Sequence, residues 1–405
     1  MSGPLHGVRI LDLTTVVMGP YATQILADFG ADVIKLEPPE GDVMRQNAPM
    51  RSRGMGHIFM NTNRNKRSVV LDLKQPAGRE ACLAIAKGVD VLVYNIRPQA
   101  MARLKLSYEA VRAVNPRLIY VGAFGYSQRG PYAPKAAYDD LIQGAAGLPW
   151  LLKESGAESP RYVPATLADR SVGLHIVNAV CAALYRREKS GLGQRVDVPM
   201  FESLLQTVLG EHMGGYTYEP GVGETRGALG YARMLASGRR PYETKDGYVC
   251  VLVYNDKQWR AFFDLIGRPE LLADPRYATP TARSQQFDES NRLVAEAMKT
   301  RSTAEWIAAL EAADIPVQRM NSLEDIVGDP HLAAIGYFRS VEHPSEGRIK
   351  SMAVPSEWSE SPPEYRRHAP RLGEHTREVL REAGYKDDAI ESMIASGAAM
   401  ERGKS

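Results

Sequence analysis

The sequence contains only three cysteines in 405 residues, and their spacing fits neither a disulfide framework nor a zinc-binding pattern. Cys82, Cys181 and Cys250 each lie in an apolar run, which favours small buried side chains. Eight histidines are present, but none forms an H-x-x-H or H-E-x-x-H pattern or has carboxylates at ligand spacing. We therefore predict that the protein has no metal site.

A large excess of charge of either sign is also missing. Lys and Arg number 50 and Asp and Glu number 48, so the formal net charge is +2. Such a balance gives the whole molecule no attraction for nucleic acid or anionic membranes. No apolar run approaches the ~18 residues of a membrane span, and no signal peptide is visible. We therefore expect a cytoplasmic protein with neither nucleic acid nor membrane as a partner.

Phosphate-binding loops are absent, although the strand pattern is one that often carries them. The turn after the first predicted strand reads TTVVMGPY, and neither G-x-G-x-x-G nor G-x-x-x-x-G-K-[ST] occurs. No G-x-S-x-G elbow is present either, which disfavours a serine hydrolase. Strands rich in β-branched residues nevertheless alternate with helical segments, and this predicts a Rossmann-like α/β domain with a mostly parallel sheet. The predicted strands cover 7–13, 31–37, 68–73, 89–94 and 117–122.

The length of the chain and its 44% hydrophobic residues allow a large core and a second, smaller one. Residues 1–215 are predicted to form the first part of the large domain. A stretch rich in Gly, Tyr, Arg and Pro over 216–245 is typical of a linker. A small α+β domain then covers 246–330, and residues 331–405 form a return linker and C-terminal helices that complete the large domain.

Asp169 is the first candidate for chemistry, in YVPATLADRSVG at a predicted loop-to-helix junction. One interpretation is an N-cap, because Asp is favoured there for bonding free N–H groups. The other is a nucleophilic carboxylate, kept ionised by the positive potential of the helix N-terminus. The helix itself is predicted to run to about Lys189, with an apolar stripe at Val172, Ile176 and Val180 that continues to Leu184.

Several basic and polar groups follow predicted strands, where ligands of α/β sheets bind. Solvation is one interpretation of each group, and for the basic loop around Arg64 the other is capture of phosphates, for which arginine offers planar paired donors. In the first group, solvation is the simpler interpretation. The groups are Lys35, Glu37 and Arg45; Arg64, Lys66, Arg67 and Lys74; and Asn95, Arg97 and Arg103. In a further loop beyond a strand end, Tyr138 and Asp139 open a helix. The simpler interpretation is that Tyr138 is a core aromatic and Asp139 an N-terminal charge.

Together and in this order, these segments resemble the family III CoA-transferases, which include formyl-CoA:oxalate and carnitine CoA-transferases and the α-methylacyl-CoA racemases. The resemblance spans nearly the whole chain. The matching stretches are LDLTTVVMGPYATQILADFGADVIKLEPPEGD, NRNKRSVVLDLK, NIRPQAMARL, FGYSQRGPYAPKAAYDD, the D-x-x-x-G of Asp169 to Gly173, GLGQRVDVPMFES and APRLGEHTREVL.

The resemblance implies transfer of coenzyme A from an acyl-CoA thioester to a free carboxylic acid. Asp169 would attack the donor thioester to give a mixed anhydride, and the returning thiolate would form an aspartyl-CoA thioester that the acceptor then attacks. The partners are thus an acyl-CoA donor and a carboxylate acceptor, with the CoA thioester as substrate and no permanently bound cofactor. The family also implies a homodimer of two interlocked ring-like subunits.

By motif, the resemblance assigns CoA contacts to a set of residues, with Arg64 as a further candidate. The set is Val16, Lys74, Asn95, Arg97, Arg103, Lys135 and Tyr138. The usual N-x-R-P-G run ends in Gln99 here, which changes the local turn. Tyr138 stands where the racemases have a histidine, and a phenol of pKa ~10 is a poor base, which favours transfer over racemisation.

Two alternatives remain open from the sequence: an acyl-CoA racemase or epimerase that keeps Asp169 as an acid–base group, and a catalytically silent CoA-binding protein. The acceptor acid is not specified by any motif. Arg45, Arg51 and Arg53 follow the second strand, and we hypothesise that they bind the second carboxylate of a dicarboxylic substrate, with succinyl-CoA as an example of the donor.

Overall fold

The structure is a computed structural model that describes residues 3–218 and 229–401. The chain divides into two compact units. The first is formed by Met1–Ala146, Val163–Thr207 and Ala333–Ser405, and the second by Gly147–Tyr162 and Val208–Leu332.

Short strands alternate with helices through most of the described chain. The strands are β1 (Arg9–Leu13), β2 (Asp32–Glu37), β3 (Lys66–Leu71), β4 (Val91–Tyr94), β5 (Ile119–Phe124), β6 (Arg195–Pro199), β7 (Tyr242–Glu243), β8 (Tyr248–Val251), β9 (Val317–Arg319), β10 (Phe338–His343), β11 (Gly347–Met352) and β12 (Ala399–Met400). The helices are α1 (Met18–Asp28), α2 (His57–Thr62), α3 (Pro76–Lys87), α4 (Pro98–Arg103), α5 (Tyr108–Val114), α6 (Asp139–Ala145), α7 (Leu148–Glu154), α8 (Leu167–Ser190), α9 (Met200–His212), α10 (Ala232–Leu235), α11 (Asp256–Leu265), α12 (Pro280–Gln285), α13 (Phe287–Met298), α14 (Thr303–Ala312), α15 (Leu323–Val327), α16 (Pro330–Ala334), α17 (Thr376–Glu382) and α18 (Asp387–Ala395).

The first unit is built on a seven-stranded sheet in the order β12-β3-β2-β1-β4-β5-β6. Only β12 pairs antiparallel, with β3, and the other neighbours are parallel. This confirms the predicted mostly parallel α/β sheet. The chain first runs outward from β1 through β2 to β3, and then returns to β4 on the other side of β1. The order of the strands therefore reverses between β1 and β4, and ligands of such sheets bind beyond the carboxyl ends of the strands at this point.

Helix α8 packs on α1, and it also contacts β5 and β6. Its predicted apolar stripe is confirmed, because Val172, Ile176 and Val180 are fully buried and Leu184 is 6% exposed. By length and hydropathy α8 could cross a membrane, but half of its most apolar window is buried inside the protein, as in a core helix. Gly191 ends the helix with a φ of +72°, a conformation that glycine adopts without strain.

Two lysines, one in β2 and one in β3, lie in buried ion pairs. Lys66 Nζ lies 3.0 Å from Asp12 Oδ2, and Lys35 Nζ lies 3.0 Å from Asp42 Oδ2, with all four side chains inaccessible to solvent. Burial raises the pKa of Asp12, but Lys66, Lys35 and hydroxyl donors outweigh it and lower that pKa to about 2. The interpretation of Lys35 as a solvated charge is therefore wrong.

Arg45 is likewise buried. Its Nε and Nη2 donate to the two carboxylate oxygens of Glu37 at 2.7 Å each, and its guanidinium carbon lies 3.7 Å from the centroid of the Phe59 ring. The Arg45–Glu37 pair has a structural role in the interior of this unit, because the planar paired donors of arginine match the two oxygens of a carboxylate.

Arg64 and Arg67 are also occupied by carboxylates of the protein. Arg64 Nη2 donates to Asp28 Oδ2 at 2.8 Å, and Arg67 Nη2 donates to Asp32 Oδ2 at 2.6 Å. Neither guanidinium is a free phosphate site or a solvated surface charge, because the protein's own acids neutralise both.

The second unit has its own sheet and core. Strands β7, β8 and β9 form an antiparallel sheet, and aromatic side chains of α11 pack with those of α14 in one cluster. The unit is α+β as predicted for the small domain, but it begins earlier in the chain. Segment Gly147–Tyr162 belongs to it because α7 packs on α10. Gly147, with a φ of +85°, separates α7 from α6. Residues 219–228 of the predicted linker lie outside the described residues.

Replacing Arg45 by Met leaves the Glu37 carboxylate buried without its bidentate partner. We expect the free energy of unfolding to fall by about 3–5 kcal/mol, because an uncompensated buried charge retains its desolvation penalty. Urea unfolding followed by circular dichroism measures the change. The matched control is Arg381→Met, which removes an exposed pair with Asp387 and should leave the unfolding midpoint nearly unchanged. Equal midpoints for the two variants would contradict a structural role for Arg45.

Candidate functional site

A cavity of about 270 Å³ opens in the first unit beyond the carboxyl ends of β1, β4 and β5. It is therefore located where the strand order reverses, the position expected for a ligand in this type of sheet. Its lining combines the turns after these strands with the first turns of α6 and α8. The lining includes Thr15, Val16, Met18, Asn95, Arg97, Lys135, Tyr138, Asp139 and Asp169.

Asp169 lies in the first turn of α8 and is 8% exposed. The helix N-cap is Thr166, so the interpretation of Asp169 as the N-cap is wrong. The Asp169 backbone N–H donates to Asp139 Oδ2 at 2.9 Å, and Gln143 Nε2 donates to the other oxygen of Asp139 at 2.6 Å. Among the described residues, no side chain or backbone group forms a hydrogen bond with the Asp169 carboxylate. The Asp169 side chain is thus positioned through its backbone.

Gly173 lies one helical turn after Asp169 and explains the D-x-x-x-G spacing. A Cβ at this position would lie 2.9 Å from Tyr21 Cδ1 and 3.1 Å from the carbonyl oxygen of Met18. Only glycine therefore lets α8 approach the first turn of α1 so closely. The contact brings the Asp169 carboxylate and Met18 to the same cavity.

The pKa of the Asp169 carboxyl is raised to about 7. Burial is the main cause, the negative charge of Asp139 adds to it, and Arg170 opposes both. Burial and the like charge of Asp139 therefore oppose the positive potential that the helix N-terminus is expected to supply. A carboxyl with a pKa this far from its usual range, within a cavity, is typical of a functional site.

The turn from Thr14 to Val16 forms another part of the cavity wall. Val16 has a φ of +73°, a left-handed conformation that strains a β-branched residue. Asn95 Oδ1 accepts the Thr15 N–H at 3.0 Å, and Asn95 Nδ2 donates to the Thr15 carbonyl at 2.8 Å. This pair of bonds joins the end of β4 to the turn after β1.

Five of the seven residues predicted to contact CoA line the same cavity as Asp169. They are Val16, Asn95, Arg97, Lys135 and Tyr138. Lys135 Nζ lies 3.5 Å from the centroid of the Tyr132 ring, and Arg97 is exposed at the N-cap of α4 without an ion pair among the described residues. Lys74 and Arg103 do not line the cavity, and both are exposed beyond β3 and at the end of α4.

The arginines proposed to bind a second carboxylate do not reach this cavity. Arg45 is buried against Glu37, and Arg51 donates to the backbone carbonyl of Glu346. Arg53 does not line the cavity either. The sequence hypothesis for these arginines is wrong for Arg45, whose hydrogen-bonding groups are taken up by the protein core.

Asp139 and Asp42 were not recognised as parts of the site from the sequence. Asp139 does lie in the first turn of its helix, as predicted, but its carboxylate also accepts the Asp169 N–H across a separation of thirty positions. Asp42 accepts a hydrogen bond from Val16. Both lie within stretches that carry the family resemblance, which was the one available signal for them. Within residues 3–218 and 229–401, no cluster of three or more His, Cys, Asp or Glu could hold a metal ion.

Comparison with protein families finds a match to the model described as CoA-transferase family III over residues 5–376. Among curated proteins, the chain is 33% identical over 386 residues to a succinate–glutarate CoA-transferase of Agrobacterium fabrum, covering 94% of this chain and 95% of that protein. It is 33% identical over 414 residues to a formyl-CoA:oxalate CoA-transferase of Streptomyces coelicolor, with 97% and 98% covered.

The fold of the chain is also similar to solved structures. A CaiB/BaiF family protein from Brucella suis matches with a TM-score of 0.79 and 29% identity, covering 95% of this chain and all of that one. A Mycobacterium tuberculosis protein in an orthorhombic crystal form matches with a TM-score of 0.79 and 28% identity, covering 93% of this chain and 98% of that one.

Replacing Asp139 by Asn should lower the pKa of Asp169 from about 7, because it removes a nearby negative charge and keeps an oxygen that can accept the Asp169 N–H. Titration of ¹³C-labelled aspartate by NMR measures this pKa, and the spectrum of Asp169→Asn identifies the resonance. Asp140→Asn, an exposed neighbour, is the matched control and should cause a smaller shift. An unchanged or higher pKa in Asp139→Asn would show that the like charge is not a cause.

Proposed function

Since the chain belongs to CoA-transferase family III and transfers coenzyme A between an acyl-CoA and a carboxylate, we propose that Asp169 is the nucleophile of this transfer. The proposal is carried by one observation: a buried carboxylate that has no hydrogen-bonding partner among residues 3–218 and 229–401, located in a cavity beyond the strand ends. A covalent relay of this kind divides one difficult acyl transfer into easier steps.

In the first half of the reaction, a carboxylate oxygen of Asp169 attacks the thioester carbonyl of the donor. The carbon–sulfur bond breaks, CoA leaves as a thiolate, and a mixed anhydride remains. The thiolate then attacks the aspartyl carbonyl carbon and expels the donor acid as a carboxylate. The product of this half is an aspartyl-CoA thioester.

The second half reverses these steps with the acceptor acid. The acceptor carboxylate attacks the aspartyl thioester and displaces the CoA thiolate, which gives a new mixed anhydride. The thiolate attacks the acyl carbon of the acceptor, and the Asp169 carboxylate leaves unchanged. No net oxidation or proton transfer is required, so the reaction needs no permanently bound cofactor.

Local electrostatics support this role for Asp169. With a pKa of about 7, the side chain is roughly half ionised at neutral pH and more basic than an ordinary aspartate. Met18, the first residue of α1, lines the same cavity, so the positive end of that helix faces the region where negative charge develops on the thioester oxygen.

CoA is proposed to extend from Asp169 along the edge of the sheet. Val16, Asn95 and Tyr138 contact the part of the ligand near Asp169, and Asn95 does so while its amide is bound to Thr15. Cationic side chains along this edge neutralise the phosphates. The proposed set is Arg97, Lys135, Lys74 and Arg103.

The acceptor is proposed to be a dicarboxylic acid. Relatives are named for succinate, glutarate and oxalate, each with two carboxylates. Arg97 and Lys135 are the cationic side chains that line the cavity with Asp169, and one of them could bind the distal carboxylate while the other carboxylate reacts. The proposal also includes a cytoplasmic location, as expected from the sequence, and an interlocked homodimer, which the resemblance implies.

Asp169→Ala should lower the turnover of CoA transfer by at least about 10³-fold, because it removes the group that becomes acylated. Incubation of the unmodified protein with donor thioester and hydroxylamine should place a hydroxamate on Asp169, detected by peptide mass spectrometry. The matched control is Asp140→Ala, an exposed aspartate in the first turn of α6, which should retain activity. Turnover that survives loss of Asp169, with no label at this position, would refute the covalent mechanism.

With succinyl-CoA as donor, we expect thioesters of oxalate, mesaconate, itaconate or glutarate, and none of carnitine. Arg97→Gln or Lys135→Met should raise the KM for the preferred diacid by about tenfold, the effect of losing ~1.4 kcal/mol of binding. Lys87→Met, at the exposed end of α3, is the matched control. A rise in the KM for succinyl-CoA alone would assign these side chains to the phosphates, and transfer to monoacids alone would refute the dicarboxylate proposal.

A further inference from the structure

The turn between β1 and α1 is strained at one residue that lines the Asp169 cavity. Val16 has a φ of +73°, and a β-branched side chain is rarely found in this region of conformational space. Such a conformation persists only where surrounding contacts enforce it. The contacts that enforce it here come from three buried or half-buried side chains outside the turn.

The first contact is a carboxylate that bonds to the strained residue itself. Val16 N–H donates to Asp42 Oδ1 at 3.3 Å, and the same oxygen accepts the Met44 N–H at 3.0 Å. Asp42 is 1% exposed. Its other oxygen lies 3.0 Å from Lys35 Nζ. Asp42 is therefore fixed from both sides while it bonds to Val16.

The second contact uses the same buried lysine. Lys35 Nζ donates to the Thr14 carbonyl at 2.8 Å, so one ammonium group joins Asp42 to the beginning of the turn. Burial by itself lowers the pKa of Lys35, but the carboxylates of Asp42, Asp12 and Glu37 outweigh it and raise that pKa. The lysine is therefore charged when it makes these bonds.

The third contact is the Asn95 side chain, which bonds to both the N–H and the carbonyl of Thr15. Each of the three successive residues of the turn is thus bound by a side chain from a different part of the sheet. Lys35 belongs to β2, Asp42 follows β2, and Asn95 follows β4.

We propose that Asp42, Lys35 and Asn95 are positioning residues for the reaction, which keep the Thr14–Val16 turn in the strained conformation that forms its wall of the Asp169 cavity. None of them needs to touch the reacting atoms. This inference rests on the proposed function only in taking Asp169 as the reacting group. If the acceptor for the Val16 N–H is lost, Val16 relaxes to a negative φ, and the chain enters α1 along a different path.

The test exploits the difference between valine and glycine at a positive φ. Asp42→Ala removes the acceptor and should lower kcat for CoA transfer by about 10-fold to 100-fold, the effect of misplacing one wall of a reacting site. The thermal unfolding temperature and the Kd for acyl-CoA are measured in parallel. Adding Val16→Gly to this variant should recover most of the lost kcat, because glycine adopts the left-handed conformation without strain.

Four further variants make the result specific. Val16→Ala added to Asp42→Ala shortens the same side chain but retains the strain, and should recover little. Asp42→Asn keeps the amide oxygen and should lose less kcat than Asp42→Ala. Asn95→Ala, alone and with Val16→Gly, repeats the test at a half-buried position. If Asp42→Ala does not fold, this pair of variants tests the positioning role in its place.

The outcomes separate this inference from the proposed function. If kcat is unchanged in folded Asp42→Ala or Asn95→Ala, or if glycine and alanine at position 16 recover activity equally, the positioning role is refuted. Asp169→Ala, assayed alongside, tests the nucleophile independently. If Asp169→Ala loses turnover while Val16→Gly fails to rescue Asp42→Ala, the positioning role is refuted and the proposed function stands.

Discussion

Close packing of α8 on α1 is the constraint on which the site depends. Gly173 allows the two helices to approach until Met18 and Asp169 share one cavity, and any side chain at this position would separate them. The same packing buries the Asp169 carboxyl, which raises its pKa, while Asp139 binds the backbone N–H rather than the carboxylate. The site thus combines a fixed helix position with a carboxylate that accepts no hydrogen bond from any residue that the structure describes.

Buried charge is the second feature that distinguishes this fold. In the pairs Lys66–Asp12, Lys35–Asp42 and Arg45–Glu37, no side chain is more than 1% exposed. Burying such pairs costs desolvation energy that their attraction only partly offsets, so they are weak evidence for stability. The Lys35–Asp42 pair is better explained by a role in positioning the turn after β1, because both side chains bond directly to the backbone of that turn.

Much of the fold was predictable because its signals are local. Runs of β-branched residues predicted the parallel strands, and the stripe from Val172 to Leu184 predicted the buried face of α8. The family resemblance correctly indicated CoA transfer and gathered five residues that line one cavity with Asp169. The limits of the small unit were less predictable, because Gly147–Tyr162 joins it through a contact between α7 and α10 that is distant in sequence.

The sequence by itself determined the strand–helix alternation, the family and the identity of the candidate carboxylate, since these depend on periodicity and on residues in a fixed order. It did not determine which charges are buried, which acceptor enforces the strained Val16, or whether Asp169 caps its helix. Those properties arise when segments far apart in the chain meet, as when Asn95 bonds to Thr15 or Asp139 to Asp169. Burial and the distances between charges set pKa values and hydrogen bonds, and both exist only after the chain has folded.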